Sequence, residues 1–187
     1  MAGDVIFYGG SFNPPHVAHV LALTLALSLH DVAKIVVAPT FQHPFAKELA
    51  PFEDRFAMCV ASMGFLPKVE VSRVEAELGG ESRTLRTLEH LKRTNPSWSL
   101  RLLVGADIMV EAPKWHGFDA ITKLAPPIVL GRIGVDFASA GPKLLPAVSS
   151  TEVRRLLAER RWTELETLVP RDVLSYVRAH GLYESDT

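Results

Sequence analysis

The sequence is poor in the features that mark several protein classes. It holds one cysteine, Cys59, so no internal disulfide can form, and a reducing compartment, the cytoplasm, is the expected location. Its net charge is −1, from 20 basic and 21 acidic residues, so no global field draws it to nucleic acid or an anionic membrane, and neither is an expected partner. The longest apolar stretch, residues 17–29, is too short to span a bilayer and contains His19 and Ser28. The opening residues lack the basic segment of a secretory signal. No repeat, low-complexity run or Pro/Gly-rich linker divides the 187 residues, which read as one domain, 1–187. Any anionic ligand must therefore be held by a local cluster of donors.

What is present is an alternation of short β-rich runs with helical ones. Strands are expected over residues 4–8, 34–38, 68–72, 100–104 and 128–130. Helices are expected over 16–29, through Phe52, Phe56, Cys59, Val60 and Met63, through Leu85, Leu88 and Leu91, and from Thr151 onward with a break near Pro170. Residues 40–51 show no period and read as a loop. The apolar character of 16–29 all round its circumference implies deep burial. The fold class that follows is α/β: a Rossmann-like, doubly wound parallel sheet with helices on both faces. Ligands of such sheets sit at the carboxyl ends of the strands, at the switch point. The loops after Tyr8, Ala38, Ser72 and Val104 should therefore line one crevice.

The first of those loops runs Gly9-Gly10-Ser11-Phe12-Asn13-Pro14-Pro15-His16-Val17-Ala18-His19. A glycine pair after a strand lets the backbone N–H groups of Gly9 to Phe12 approach a ligand closely. The helix that follows presents unpaired N–H groups and a positive dipole end, a seat for phosphate. His16 and His19 are three apart and share a face of the first turn. Singly, the turn is commonplace, the histidines could bind a metal, and His19 could be a core residue. Jointly they favour phosphate, and no metal site is expected, because no cysteine or carboxylate stands nearby to complete one.

Near the other end, Ser149, Ser150 and Thr151 precede an amphipathic helix that carries Arg154. Hydroxyls with an acid in the first turn form a helix cap, and capping is part of the explanation. The same groups, with helix-start N–H donors and Arg154, also suit a triphosphate. Arg155, Arg160 and Arg161 read as a solvated face.

Between these motifs, Gly105 and Asp107 end a buried strand, where Asp107 could accept from ribose hydroxyls or cap a helix. Trp115 could stack on a ring or sit in the core; its neighbours Lys114, His116 and Gly117 argue for partial exposure. Thr84, in Ser82-Arg83-Thr84-Leu85-Arg86-Thr87-Leu88, could start a helix or meet a ligand. Lys47, in the 40–51 loop, is either a phosphate contact or a plain surface lysine. Arg55 reads as a surface or ion-paired arginine, and Cys59 as packing.

The residues quoted above resemble a known superfamily. Gly9, Gly10, Phe12, Pro14, His16 and His19 match the fingerprint Gly-Gly-x-Phe-x-Pro-x-His-x-Gly-His of the HxGH nucleotidyltransferases, with Ala18 at the third glycine. Val148-Ser149-Ser150-Thr151 with Arg154 is similar to their C-terminal Ile-Ser-Ser-Thr-x-x-Arg motif. Gly105-x-Asp107 with Lys114-Trp115, and the segment from Ser82, resemble the bacterial nicotinate-nucleotide adenylyltransferases, with Arg83 in place of a tyrosine. The likeness covers essentially the whole chain. It implies ATP and nicotinate mononucleotide as substrates, Mg²⁺ arriving with ATP, and room for a homo-oligomer. It implies catalytic roles for His16, His19 and Arg154, and ATP contacts from Gly9, Gly10, Ser11, Phe12, Lys47, Gly105, Asp107, Arg132, Ser149, Ser150 and Thr151. It places Thr84, Trp115 and His116 against the acceptor. The competing readings are a pantetheine-phosphate adenylyltransferase and a catalytically weak nucleotide-binding regulator, the latter left open by Ala18 and Arg83.

Overall fold

The computed structural model describes residues 3–44, 48–111, 115–138 and 140–183. Its centre is a sheet in the order β3-β2-β1-β4-β5-β6, from β1 (Asp4–Gly10), β2 (Val32–Pro39), β3 (Val69–Val71), β4 (Leu100–Gly105), β5 (Pro127–Arg132) and β6 (Lys143–Leu145). All five strand pairings are parallel. The chain winds outward from β1 through β2 to β3, then returns to pair β4 with β1. That reversal is the switch point, and it opens a crevice at the carboxyl ends of β1 and β4.

Period-two alternation sends side chains to opposite faces of the central strands. Ile6, Ile35, Val37 and Leu103 pack beneath α1 (Val17–Leu29) and α2 (Phe52–Met63), where Leu23, Cys59 and Met63 meet them. Val5, Phe7, Val36, Leu102 and Val104 pack on the other face. There they meet Leu88 and Leu91 of α4 (Thr84–Thr94) and Ile121 of α6 (Phe118–Leu124). Each of these apolar layers removes side chains from water at about 1.5–3 kcal/mol apiece, which is what holds the strand ends in register. A third cluster joins α7 (Ser150–Ala158), α8 (Trp162–Leu168) and α9 (Arg171–His180) to Ala18 and Met58. It docks the C-terminal helices against the start of α1, so both sequence motifs reach one place.

The expected doubly wound sheet with helices on both faces is present. Three short helices went unread: α3 (Val74–Leu78), α5 (Ala106–Glu111) and α6. So did the three-residue strand β6. Segments this brief carry too little periodicity to be legible. Helix α1 is also less buried than its composition implies. Ala18, Ala22, Leu23 and Ala26 are buried, whereas Leu29 is 60% exposed. In α2 the buried stripe is Arg55, Met58, Cys59, Ser62 and Met63, and Val60 faces outward.

Candidate active site

The crevice at the switch point is a cavity of about 350 Å³. Its floor is the turn after β1. Phe12 in that turn has a φ of 45°, the left-handed region that a non-glycine residue seldom occupies. The strain is held by burial, since Phe12 is 2% exposed and its ring meets those of Tyr8 and His19 edge-on.

Helix α1 begins at the same point, with His16 as its N-cap. The rings of His16 and His19 stack, with centroids 3.8 Å apart. The backbone N–H of His16 donates to Nδ1 of His19 at 3.0 Å. Nδ1 therefore bears no proton, and the neutral His19 ring presents Nε2–H as a donor. Burial pushes the His16 imidazole down to about 4, with Arg132 adding to the effect. Burial likewise lowers His19, reinforced by His16 and Arg132. At neutral pH the pair are uncharged donors, and Nδ1 of His16 is buried with no hydrogen-bond partner among the described residues.

Arg154 reaches across from α7. Its Nη1 donates to the Asn13 carbonyl at 2.7 Å and its Nη2 to Thr151 Oγ1 at 3.3 Å. Ser150 Oγ donates to the Pro14 carbonyl at 2.9 Å. These bonds tie the C-terminal motif to the turn after β1. Arg132, at the end of β5, pairs with Asp107 at 2.6 Å and also donates to the Val148 carbonyl. A Cβ on Gly105 would fall 2.5 Å from Asp107 Oδ1, so glycine is what leaves room for that carboxylate. Arg132 and Arg154 and the starts of α1 and α7 thus converge on one cavity, which Arg83, Asp107 and Glu75 also line.

Another wall of the cavity is formed by Thr84, the first residue of α4, with Trp115 and His116. Trp115 is partly exposed, as its neighbours suggested. Gly117 turns the chain at a φ of 72°, where a Cβ would strike Leu85.

Most residues singled out in the sequence come together here. Gly9, Gly10, Ser11, Phe12, His16 and His19 line the cavity, and so do Thr84, Gly105, Asp107, Trp115, His116, Arg132, Ser150 and Arg154. Ser149 and Thr151 do not. Ser149 Oγ is occupied as the N-cap of α7, accepting from Glu152 N at 3.1 Å, and the Thr151 hydroxyl holds Arg154. Lys47, like Lys114, lies outside the described residues. Among the described residues, no group of three or more His, Cys, Asp or Glu gathers in a metal-binding arrangement.

Arg55 corrects an expectation. It is 1% exposed, donating from Nη1 to the Ser11 carbonyl at 3.0 Å and from Nε to the Ala50 carbonyl at 2.8 Å. It braces the turn after β1 from behind. Its spacing from Cys59 and Met63, at helical intervals, carried the signal. Asn13 and Tyr183 were also missed. Asn13 Oδ1 accepts from Ala50 N at 3.0 Å and from the Tyr183 hydroxyl at 2.8 Å. Glu75, buried and lining the cavity, was missed as well.

A cytidylyltransferase-like family model matches residues 7–156, a span that runs from β1 into α7 and includes both motifs. A probable nicotinate-nucleotide adenylyltransferase of Anaeromyxobacter dehalogenans is 47% identical over 183 residues, covering 96% of each chain. The chain belongs to the nicotinate-nucleotide adenylyltransferase family. Its Myxococcus xanthus member is 40% identical over 97% of this chain and 95% of that one. Among solved structures, a nicotinic acid mononucleotide adenylyltransferase of Plasmodium falciparum, complexed with NaAD, superposes with a TM-score of 0.77. It is 18% identical and covers 97% of both chains, a likeness of fold.

Proposed function

We propose that this protein transfers the adenylyl group of ATP to the phosphate of nicotinate mononucleotide, giving nicotinate adenine dinucleotide and pyrophosphate. The observation that carries the reading is the convergence of the β1–α1 turn, the α7 arginine and the α4 start on one cavity. Its size is within the roughly 300–1,000 Å³ usual for small-molecule sites. Membership of the family supplies the acceptor's identity.

An oxygen of the acceptor phosphate attacks the α-phosphorus in line. The bond to the bridging oxygen breaks, and its electron pair leaves with pyrophosphate. The attacking group is already anionic, since a phosphomonoester has a second pKa of about 6, so no general base is needed. The neutral histidines donate N–H to the phosphoryl oxygens as charge grows there, Arg154 steadies the departing phosphates, and the helix starts add their dipoles. Mg²⁺ would come with ATP, held mainly by substrate and water rather than by protein side chains, and would supply charge neutralisation at the phosphates. Thr84 N–H receives the ring carboxylate and Trp115 packs against the pyridine. The single thiol, Cys59, is buried and suits the reducing cytoplasm, where we place the reaction.

Pyrophosphate release with MgATP tests this against three acceptors in parallel: nicotinate mononucleotide, nicotinamide mononucleotide and phosphopantetheine. Turnover is expected with the pyridine nucleotides and not with phosphopantetheine. Measurable ATP binding without turnover on any acceptor would overturn it in favour of a nucleotide-binding regulator.

A further inference from the structure

One buried group in the cavity has no part in the chemistry just described. Glu75 of α3 is 6% exposed and lines the cavity together with Thr84 and Trp115. Its Oε1 accepts from the Thr87 hydroxyl at 3.2 Å. Its Oε2 is buried and makes no hydrogen bond of ordinary geometry among the described residues, although the Ser82 hydroxyl, which accepts from the Phe41 N–H, lies close enough to act on the carboxyl. Thr87 lies three residues beyond Thr84, so both occupy one face of α4. Glu75 therefore stands beside the start of that helix, where first-turn N–H groups have no partner within the helix and offer an anion seat.

An unpaired buried carboxyl oxygen is costly. Either it holds a proton and donates, or a ligand supplies the donor. Burial raises the Glu75 carboxyl above its ordinary range, against the opposing pull of the Ser82 and Thr87 hydroxyls, the Phe41 N–H and Arg55. Arg55 of α2 is the cation that acts on it, while His43, Arg83 and His116 line the same cavity. The first turn of α4 carries no acidic side chain.

We propose that Glu75 selects the acceptor by its ring substituent. Protonated, it donates from Oε2 to a carboxylate seated at Thr84; ionised, it accepts from a carboxamide N–H and repels the carboxylate. This rests on the adenylyl-transfer reading and deepens it, because it makes acceptor preference depend on pH. A second carboxylate close by forces the pair to share one proton, so seating nicotinate favours the protonated form.

The test is kcat/KM for nicotinate mononucleotide divided by kcat/KM for nicotinamide mononucleotide, from pH 5.5 to 8.5. The ratio cancels titration of the acceptor phosphate, of ATP and of His16 and His19, and Glu75→Gln separates Glu75 from His43 and His116. It should fall by about tenfold as pH rises, the equivalent of about one pKa unit of interaction. In Glu75→Gln the ratio should be flat. In Thr87→Val, which removes a donor that favours the ionised form, the fall should move to higher pH. A flat ratio in the unaltered protein overturns the inference alone, as does Glu75→Gln keeping the original slope. No turnover on either pyridine nucleotide would instead overturn adenylyl transfer itself and this inference with it.

Discussion

The backbone N–H of His16 donates to Nδ1 of His19 at 3.0 Å, and that bond decides which ring nitrogen of His19 is left for a substrate. The free nitrogen is Nε2, carrying its proton. A side-chain amide can imitate one nitrogen or the other. Glutamine places its N–H near Nε2, whereas asparagine reaches only the Nδ1 position. His19→Gln should therefore retain part of the turnover, and His19→Asn should lose about 10²–10³ in kcat, the usual cost of one missing transition-state donor. KM for ATP should change little in either. Equal loss in the two variants would show that the Nε2 donor is not what matters.

The same histidines set a pH limit on stability. His16 titrates at about 4 in the folded protein against 6.5 as its ordinary value. Between those values the unfolded chain binds the extra proton, so stability rises with pH through this window. The His16 contribution is complete above about pH 6.5 and is lost as pH falls to about 4, a change on the order of 3 kcal/mol. His19, shifted in the same direction, adds to it. Urea melts at pH 4.5 and 7.5 should show His16→Asn losing less stability on acidification than the parent protein. An identical loss would mean that His16 is not held neutral.

Arg55 should matter beyond its distance from the substrate. Arg55→Met leaves the Ser11 and Ala50 carbonyls without their donors, at about 1–3 kcal/mol for each buried group left unpaired. The turn after β1 then loses its brace. We expect lower stability by urea melts and a raised KM for ATP, with Arg55→Lys restoring part of both. Loss of stability with unchanged KM would confine Arg55 to a structural role.

How far the sequence reached is clearest at Arg154 and Arg55. Arg154 stood in a motif beside hydroxyls at a helix start, and it lies in the cavity as expected. Arg55 stood alone in an amphipathic helix, and charge was weighed above position. Cys59 and Met63 of the expected stripe are buried and Phe52 and Phe56 are half-buried, whereas Met58 and Ser62, with Arg55, complete the buried face of α2. The parallel sheet was legible because its central strands carry short apolar runs such as Val5-Ile6-Phe7, Ile35-Val36-Val37 and Leu102-Leu103-Val104. Helix α3 was not, and Glu75 went with it. Five residues hold barely more than one turn, and what makes Glu75 notable is a missing hydrogen bond, which only three dimensions disclose.

Ala18 occupies a position where the superfamily fingerprint has glycine, and its methyl has a packing role. The residue is 5% exposed; it lines the cavity between His16 and His19, and its methyl also joins Met58, Val148 and Val153 in the third core cluster. If packing is what the methyl serves, Ala18→Gly should leave kcat and KM for ATP within about twofold while lowering stability by about 1 kcal/mol, the ordinary cost of glycine inside a helix. The buried methyl adds to that figure, at about 25 cal/mol for each Å² of apolar surface removed from water. Steady-state kinetics alongside urea denaturation separates the two effects. A marked gain in kcat from the glycine variant would mean that the methyl crowds the phosphate turn.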